Sequence, residues 1–359
     1  MRVLTVNTGS HSVHVTLVED GRLGDALDLD ARPEETGDQV AEFVRTQRGV
    51  DAVGHRLVHG ADVVVRPTVV TGEVLAAVRK VADLDPLHVP PALDLLDRLR
   101  ELLPDVPHVL CPDTAFHAGL PAVAATFPLP AEWRERWGLR RYGFHGLSYA
   151  WATRRAAALL DRPVGELHLV VAHLGGGASV CAVREGRSVD TSMGLTALDG
   201  VPMSTRSGAV DPGMLLWLLD GRLDRAELAD GLYHRSGLLG LSRDRSGDTR
   251  DLVAAAGQGD RDAALALEVY AHRVRREIAA AATSLDRLDA LVFTGEIGWD
   301  QPEVRHDVCA GLGLLGVRPP VRGNRDDDGP VSEPGAAVPV LVVKTGEEYQ
   351  LAEDTLAAL

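Results

Sequence analysis

Five short segments of the chain combine charged or polar side chains with glycine in patterns that core packing does not require. Glycine lets the backbone approach a ligand closely, and arginine binds carboxylates and phosphates through its planar fork of donors. An arginine beside a glycine is also common in solvated turns, so each segment alone is weak evidence for a site. The segments are residues 54–60 (GHRLVHG), 112–117 (PDTAFH), 140–146 (RRYGFHG), 190–194 (DTSMG) and 204–208 (STRSG).

Any phosphate chemistry of this chain must rest on backbone N–H groups, arginines and a metal ion. Lys80 and Lys344 are the only lysines among 37 basic residues, and neither follows glycine in the G-x-x-x-x-G-K-[ST] pattern of a P-loop. The H-R-D and D-F-G motifs of protein kinases are also absent from the sequence. The sequence therefore excludes a P-loop enzyme and a protein kinase.

The elements that would position these segments include a strand, a glycine turn and a second strand, which occur once in each half of the chain. Each strand shows apolar alternation or an apolar run, and each turn is polar and contains glycine. A repeated hairpin of this kind indicates an internal duplication. The two copies are residues 2–6, 7–10 and 13–17, and residues 167–172, 173–177 and 178–183.

The rest of the chain alternates helix and strand, which predicts an α/β protein. Residues 290–293 read as a buried strand that runs into a third glycine turn at 294–298. Apolar residues at helical spacing predict a long helix marked by positions 267, 270, 274, 278 and 285, and a second helix that begins at Pro302 and includes positions 304, 308, 312 and 315. Residues 322–334, with three consecutive aspartates and two prolines, predict a surface loop.

Length and composition limit the possible partners. The 359 residues suggest two domains, at roughly 150 residues each, and the net charge of −15 disfavours nucleic acid and anionic membranes as partners. No apolar run reaches the roughly 18 residues that a bilayer requires, and the chain does not open on a leader pattern. The three scattered cysteines, Cys111, Cys181 and Cys309, fit a reducing cytoplasm and form no zinc pattern.

The five segments at 54–60, 112–117, 140–146, 190–194 and 204–208, in this order along the chain, resemble the acetate kinase family of short-chain carboxylate kinases. RYGFHG at 141–146 and DTSMG at 190–194 are the most specific motifs, and the resemblance runs from VLTVN at 3–7 to TGEE at 345–348. It implies a two-domain, duplicated actin/sugar-kinase/Hsp70-type α/β fold with the active site in the interdomain cleft. The implied domains are 1–113 plus 349–359 on the carboxylate side and 114–348 on the nucleotide side.

The resemblance also implies an activity. Members of the family transfer the terminal phosphoryl group of ATP reversibly to acetate, giving an acyl phosphate and ADP with Mg²⁺ or Mn²⁺. Propionate is the second acid expected for this chain. A carboxylate is already an anionic nucleophile, so the protein must chiefly position the reactants and stabilise charge. A cytoplasmic homodimer with small-molecule substrates is expected by the same resemblance.

Matching positions carry the implied roles. Asp113, His145 and Arg206 are the expected catalytic residues, and Asn7 and Glu347 the expected metal ligands. Arg56 is expected to bind the substrate carboxylate, whereas His11, His55, His59 and His117 are interpreted as structural. The apolar acid pocket would comprise Val58, Leu87, Phe144 and Ala197. The expected nucleotide- and phosphate-binding residues are Ser10, Ser12, His14, His173, Gly175, Gly176, Gly177, Asp248, Arg250, Gly295, Glu296, Ile297, Gly298, Trp299 and Asp300.

Several positions depart from the family pattern, mostly on the nucleotide side. Arg56 comes earlier in the chain than is usual, so the first domain lacks a peripheral segment. These departures leave two alternatives to an ATP-dependent kinase: a relative that uses another donor such as pyrophosphate, and a catalytically weak binding protein. Trp299 could stack on adenine or fill its pocket. The replacements are His14 for lysine, Gly176 for asparagine, Ala197 for proline, Glu296 for glycine, and Trp299-Asp300 for Glu-Asn.

Overall fold

The computed structural model describes residues 1–9, 12–321, 323 and 327–359, so the predictions for Ser10 and His11 lie outside the described residues. The chain divides into two compact units. The first unit comprises Met1–Ala118, Phe144–Trp151 and Gly346–Leu359, and the second comprises Gly119–Gly143 and Ala152–Thr345. These bounds differ most at 144–151 from the domain boundaries that the family resemblance implies. The resemblance places 144–151 on the nucleotide side, whereas the structure has them in the first unit.

The strands and helices of the described residues alternate along the chain. The strands are β1 (Arg2–Thr8), β2 (Val13–Glu19), β3 (Arg22–Leu29), β4 (Ala52–Leu57), β5 (Thr68–Val69), β6 (His108–Pro112), β7 (His168–Leu174), β8 (Ala178–Arg184), β9 (Arg187–Thr191), β10 (Ala290–Thr294), β11 (Gly329–Pro330) and β12 (Val340–Val342). The helices are α1 (Pro33–Thr46), α2 (Gly72–Lys80), α3 (Val89–Leu102), α4 (Ala122–Ala125), α5 (Ala131–Trp137), α6 (Gly146–Leu160), α7 (Pro212–Leu219), α8 (Arg225–His234), α9 (Gly237–Leu241), α10 (Thr249–Gly257), α11 (Arg261–Ala282), α12 (Gly295–Asp300), α13 (Pro302–Ala310) and α14 (Glu347–Ala357).

Each unit contains one mixed six-stranded sheet, and the two sheets have the same strand order. The order is β3-β2-β1-β4-β6-β5 in the first unit and β11-β12-β10-β7-β8-β9, which is the same order read from the other edge, in the second. In both sheets, the first two strands along the chain form a hairpin, β1–β2 or β7–β8. The first strand of the hairpin also pairs in parallel with a later strand, β1 with β4 and β7 with β10. The predicted α/β class and the two predicted hairpins are therefore confirmed.

Helices cover both faces of the first sheet. On one face, Val40 and Val44 of α1 and Leu95 and Leu99 of α3 pack against the apolar residues of β1 and β2. On the other face, α14 packs so closely on β4 that a Cβ at Gly54 would lie 2.1 Å from Thr355 Oγ1. This close packing holds the second half of α14, the helix that begins at Glu347, against the sheet.

The second sheet is buried along its central strands. Every residue of β7 and of β10 is buried, as expected for parallel strands with both faces covered. Helix α11 lies against the sheet through Ala266, Tyr270, Val274 and Ile278, and Asp260 caps its first turn by accepting a hydrogen bond from Ala263 N at 3.0 Å. The long helix predicted here is confirmed, although it ends before Leu285.

Two sequence predictions in the second unit are wrong in detail. The glycine turn expected after β10 is the short helix α12, which begins at Gly295. The helix expected to continue from Pro302 to Leu315 ends at Ala310, because Gly311 and Gly313 interrupt it, and Leu312 packs as a buried loop residue. The loop predicted over 322–334 contains the two-residue strand β11 among its described residues.

No helix in the described ranges combines the length and the apolar character needed to cross a bilayer.

Three buried histidines support the fold of the first unit, as the sequence suggested for His55 and His117. His55 and His108 stack with their ring centroids 5.1 Å apart, and a hydrogen bond of 2.8 Å joins His55 Nε2 and His108 Nδ1. His117 Nε2 donates to the Phe144 carbonyl at 3.0 Å and thereby ties the 144–151 segment to the first unit. Burial lowers the pKa of His117 to about 4, against the opposing effects of the Phe144 hydrogen bond and the Asp113 charge.

The depressed pKa of His117 predicts a loss of stability in mild acid. A histidine of the unfolded chain titrates near about 6.5, so the stabilisation is complete above that pH and falls as the pH decreases toward 4, by at most about 1.4 kcal/mol per pH unit. We expect His117→Gln to flatten the dependence of the free energy of unfolding on pH between about 7 and 5, as measured by urea titration. Parallel curves for the two proteins would contradict this assignment.

Candidate active site

Four polar residues of the first unit meet at one edge of its sheet. Strands β1, β4 and β6 run parallel, so their carboxyl ends lie at the same edge, where open α/β sheets bind ligands. Asn7 lies near the end of β1, Arg56 near the end of β4, and Asp113 directly after β6. Glu347 joins them as the first residue of α14.

A continuous chain of hydrogen bonds links these four side chains. Arg56 donates to Asp113 Oδ2 from Nε at 3.2 Å and from Nη2 at 2.7 Å, and from Nη1 to Asn7 Oδ1 at 3.0 Å. Asn7 Nδ2 donates in turn to Glu347 Oε2 at 2.8 Å. The Asp113 side chain is fully buried, whereas that of Arg56 keeps 13% of its surface exposed. Arg56 is therefore the member of the pair that can reach a ligand.

The electrostatics keep Arg56 charged. Burial alone would lower its pKa, but the negative charges of Asp113 and Glu347 and the Asp113 hydrogen bond outweigh burial and raise the pKa above its usual value. Asp113 Oδ1 is buried and has no hydrogen-bond partner among the described residues. A buried carboxylate oxygen without a donor is costly, so it is suited to bind water or a cation.

These residues fit a magnesium ion held mostly by water and substrate. Within the described ranges, no cluster of three or more histidine, cysteine, aspartate or glutamate side chains forms a complete metal cage. Mg²⁺ is usually bound by only one or two carboxylates together with waters and phosphate oxygens. Glu347, the amide of Asn7 and the unpartnered oxygen of Asp113 match that set of donors in kind and number.

The segment that carries His145 is a tight turn pressed against Asp113. Gly143 and His145 both have left-handed backbone conformations, with φ of 76° and 59°, and His145 is buried. Gly146 begins α6, and a Cβ there would lie 1.9 Å from the Asp113 carbonyl oxygen. Only glycine fits this approach, so the motif RYGFHG brings His145 and Asp113 together within the first unit.

The residues expected to form the apolar acid pocket are divided between the units. Val58 and Phe144 are buried in the first unit, where the His59 ring packs edge-on against Phe144 at 5.3 Å, while Leu87 is 39% exposed. Ala197 belongs to the second unit, and its carbonyl accepts a hydrogen bond of 2.8 Å from Arg206 Nη1. The Arg206 guanidinium is therefore anchored beside Ala197.

The second unit builds its loops at the corresponding edge of its own sheet. His173 lies near the end of β7, and the hairpin tip is closed by Gly175 N, which donates to the Gly177 carbonyl at 3.0 Å. Gly295 follows β10 with φ of 80°, and a Cβ there would lie 2.4 Å from the Leu174 carbonyl oxygen. The third glycine loop therefore packs directly on the end of β7.

A cavity of about 480 Å³ opens beside these loops within the second unit. Eight of the expected nucleotide- or phosphate-binding residues line it. The lining residues are Gly176, Ser204, Gly247, Asp248, Thr249, Arg250, Gly295, Glu296, Ile297, Trp299, Asp300, Gln301, Lys344 and Thr345. The lining does not include four other expected residues, which are close in sequence to lining residues: His173, Gly175, Gly177 and Gly298.

Charged side chains dominate one side of this cavity. Asp248 caps α10 by accepting from Arg250 N at 2.8 Å, and its carboxylate also accepts from Arg250 Nε at 3.1 Å and Nη2 at 2.6 Å. The side-chain hydrogen bond from Arg250 lowers the pKa of Asp248. The pKa of Arg250 is raised, first by Asp248 and in addition by the charges of Asp300 and Glu296.

Trp299 borders the cavity together with Lys344. Its indole Nε1 is buried and has no hydrogen-bond partner among the described residues, and Lys344 Nζ lies 5.2 Å from the ring centroid. Thr249 Oγ1, in the same lining, is also buried without a partner in this part of the chain. Two residues of the lining thus each contain a buried polar atom without a hydrogen-bond partner among the described residues.

Two predicted residues of the first hairpin have local roles in the structure. His14 lies opposite Asn7 in the β1–β2 pairing, and its Nδ1 is 2.7 Å from Asp28 Oδ1 on β3. The Ser12 carbonyl accepts a hydrogen bond of 2.8 Å from Gly9 N and closes the turn. Phosphate binding by Ser12 and His14 therefore stays a prediction.

Sequence reasoning missed several residues of the second unit. Ser204, Gly247, Thr249, Gln301, Lys344 and Thr345 line the cavity without having been expected there. Arg305 of α13, which is fully buried, donates from Nη1 to the Gly298 carbonyl at 3.0 Å and supports the cavity wall from behind. Lys344 carried a signal because lysine is so rare in this chain, and Ser204 and Thr345 lie in the motifs STRSG and TGEE.

Comparison with known proteins decides the family. The model of the acetokinase family matches residues 35–353. The chain belongs to the acetokinase family. An acetate kinase from Thermotoga maritima is 37% identical over 394 aligned positions, which cover 99% of this chain and 98% of that protein. An acetate kinase from Leifsonia xyli is 46% identical over 314 residues, 86% of this chain and 79% of the relative. The resemblance drawn from the motifs is thus confirmed.

Solved structures of acetokinases agree with this assignment. The structure of Porphyromonas gingivalis acetate kinase has a TM-score of 0.89 at 33% identity and covers 99% of both chains, and that of a Francisella tularensis propionate kinase has 0.90 at 29% identity over both complete chains. A ROK hexokinase from Thermus thermophilus, at 16% identity and a TM-score of 0.51, shares the fold alone. The fold is therefore of the actin/sugar-kinase type, and the chain is a phosphotransferase with a carboxyl group as acceptor.

Proposed function

We propose that this acetokinase transfers the terminal phosphoryl group of ATP reversibly to acetate or propionate, giving an acyl phosphate and ADP in the presence of Mg²⁺ or Mn²⁺. The buried hydrogen-bond chain from Asp113 through Arg56 and Asn7 to Glu347 is the observation that carries the proposal. It holds a permanently charged guanidinium beside a carboxylate oxygen that lacks a partner, and a short anionic acid needs such a cation to bind.

Arg56 binds the carboxylate of the acid in this proposal. Its bonds to Asp113 and Asn7 use three of its five N–H donors among the described residues, so donors remain for the substrate. Val58 and Phe144 supply buried apolar surface for the alkyl end. Leu87 of the first unit is assigned to the same apolar surface, and Ala197, which belongs to the second unit, has a smaller side chain than the family's proline.

Arg206 and His145 act on the transferring phosphoryl group. A guanidinium beside the equatorial oxygens offsets the charge they carry in the transition state, and a histidine N–H donates a hydrogen bond to them. The Ala197 carbonyl orients Arg206, and the turn at 143–146 orients His145. Asp113 positions Arg56 and the reacting groups, and no strong general base is required because the acid is already ionised.

Asn7 and Glu347 would hold the metal ion, with Asp113 close enough in the hydrogen-bond chain to share its hydration shell. When bound, a divalent cation neutralises charge on the phosphate oxygens of the donor. The fixed positive charge of Arg56 would add to this neutralisation of the phosphate charge.

The cavity of the second unit binds the donor nucleotide. Its volume of about 480 Å³ suits a nucleoside, which supports ATP over pyrophosphate, a donor without a base to occupy it. The backbone of Gly175–Gly177, with His173, would lie along the phosphates, and Asp248, Arg250 and the residues of α12 along the nucleoside. The three free, buried cysteines support a cytoplasmic location.

The proposed activity is tested by trapping acyl phosphate as a hydroxamate. We expect product from ATP with acetate and with propionate, dependent on magnesium. The kcat/KM values for the two acids should lie within about tenfold, because the smaller side chain of Ala197 leaves room for a methylene whose burial, worth roughly 1–3 kcal/mol, offsets the preference for acetate. Butyrate, GTP and pyrophosphate complete the set of substrates. Folded protein that gives no signal with any acid and donor would refute the kinase proposal, and a preference for acetate above about a hundredfold would refute the wider pocket.

Variants of the two arginines should fail in different ways. Arg206→Ala removes charge stabilisation that matters mostly in the transition state, so we expect kcat to fall by about 10²–10³. Arg56→Ala removes binding to the ground-state acid, so the KM for the acid should rise more than kcat falls. Steady-state kinetics with varied acid at saturating ATP separate the two effects.

A control is needed because Arg56→Ala also leaves the Asp113 charge buried without its cation, which costs about 3–5 kcal/mol in comparable sites. Thermal unfolding establishes that the variant is folded during the assay, and Arg56→Lys keeps the charge while losing the planar fork of donors. An equal rise in KM with unchanged kcat for both arginine variants would contradict the assigned roles.

We also propose that the chain forms a homodimer through α7. This helix carries no charged residue and exposes Leu216 by 71% and Trp217 by 57%, and neighbouring exposed apolar side chains of this kind are typical of an interaction surface. We expect sedimentation equilibrium to give twice the chain mass of 38.3 kDa, and Leu216→Asp to give the monomer. Leu314→Asp, at a still more exposed leucine outside α7, is the matched control and should stay dimeric. A monomeric wild-type protein would refute the proposal.

A further inference from the structure

The donor cavity has an unusual balance of charge for a site that must accept a polyphosphate. Its lining contains three carboxylates, Asp248, Glu296 and Asp300, and two cations, Arg250 and Lys344. The Arg250 guanidinium already makes hydrogen bonds to both oxygens of Asp248. Glu296 and Asp300 repel an anionic ligand, so a further cation has to offset them.

Lys344 is placed to supply that charge. It follows β12, which runs parallel to β10, so it lies at the same sheet edge as the loop that begins at Gly295. Its backbone N donates to Asp328 Oδ1 at 2.7 Å, and Asp328 Oδ2 accepts two further bonds from Arg155, at 3.1 and 3.2 Å. The backbone of Lys344 is thereby anchored, while its side chain reaches the cavity.

The ammonium group of Lys344 lies over the face of Trp299. The distance from Nζ to the ring centroid is 5.2 Å, within the range in which an aromatic ring attracts a cation. The attraction of a ring for an ammonium group at an exposed site is weaker than a charge-assisted hydrogen bond from that group to a phosphate oxygen. Trp299 thus holds the lysine at the cavity in a position from which it can turn to a ligand.

The choice of lysine at this position is itself informative. The chain uses arginine for nearly all of its positive charge, and its one other lysine, Lys80, is an exposed residue at the end of α2 in the first unit. Lysine differs from arginine as a compact point charge with three rotatable donors, which suits a flexible phosphate chain.

We infer that Lys344 is a donor-binding residue whose ammonium group contacts the phosphate chain of the nucleotide and offsets Glu296 and Asp300. This inference rests on the proposal that the cavity of the second unit binds the phosphoryl donor. It adds to that proposal a residue outside the glycine loops and the DTR segment at 248–250. It also gives Trp299 a function that does not require stacking on the base.

The test measures binding of adenosine, ADP and ATP by titration calorimetry, without acid present. A hydrogen bond between two charged groups is roughly twice as strong as a neutral one, so Lys344→Met should weaken the binding of ATP by about tenfold or more. The loss should be smaller for ADP and absent for adenosine, and Lys344→Arg should recover most of it. Lys80→Met is the matched control and should bind all three ligands as the wild type does.

Two further measurements separate charge from structure. Glu296→Gln in the Lys344→Met background should recover part of the ATP affinity, because it removes the repulsion that the lysine offsets. In the hydroxamate assay, Lys344→Met should raise the KM for ATP and leave the KM for the acid unchanged.

Equal losses for adenosine and ATP, or unchanged ATP affinity in Lys344→Met, would overturn the inference. Binding is measured apart from turnover, so its failure is distinguishable from that of the proposed function. ATP affinity that depends on Lys344, in a protein that phosphorylates no acid, would support the inference and refute the kinase proposal.

Discussion

The buried ion pair of Arg56 and Asp113 is the interaction around which the first unit arranges its polar residues. Burying two charges is expensive, and an apolar pair of similar volume is often as stable or more so. The pair therefore gains little for the fold by itself. The pair does fix the ends of β4 and β6 relative to each other. Arg56 also holds the side chain of Asn7, which in turn holds that of Glu347, through hydrogen bonds. The function of the pair is to present a charged guanidinium at the carboxyl ends of the parallel strands, where open α/β sheets bind ligands.

The duplicated sheet explains why the two units supply different chemistry from equivalent positions. In both, the carboxyl ends of parallel strands carry the candidate residues. The first unit ends these strands with side chains, namely Asn7, Arg56 and Asp113. The second ends them with the glycine loops at 175–177 and 295, whose backbone can approach phosphates closely. One topology thus presents fixed polar side chains in the first unit and closely packed glycine backbone in the second, as the proposed binding of the acid and of the donor requires.

How far the sequence predicts this protein depends on how local each feature is. The hairpins β1–β2 and β7–β8 are visible as alternation around glycine turns, and RYGFHG marks a close approach that the structure explains through Gly146 and the Asp113 carbonyl. Features decided by distant contacts were missed. Gly295 starts a helix because it packs on Leu174, and the position of Lys344 depends on Asp328 and Trp299. The roles of individual site residues remain predictions, since motif matches assign residue types and not contacts.

Glu296 and Lys344 are best understood together. A carboxylate placed where a phosphate-binding loop usually has glycine lowers the affinity for anions through like-charge repulsion, and this would by itself favour a weakened binding protein. A lysine in the same lining restores the net charge that the carboxylate removes. Affinity for a polyphosphate depends on the summed field of the cavity more than on any one motif position. A departure from the family motif on one loop can therefore be compensated from another element, and here the second element is the strand end at β12.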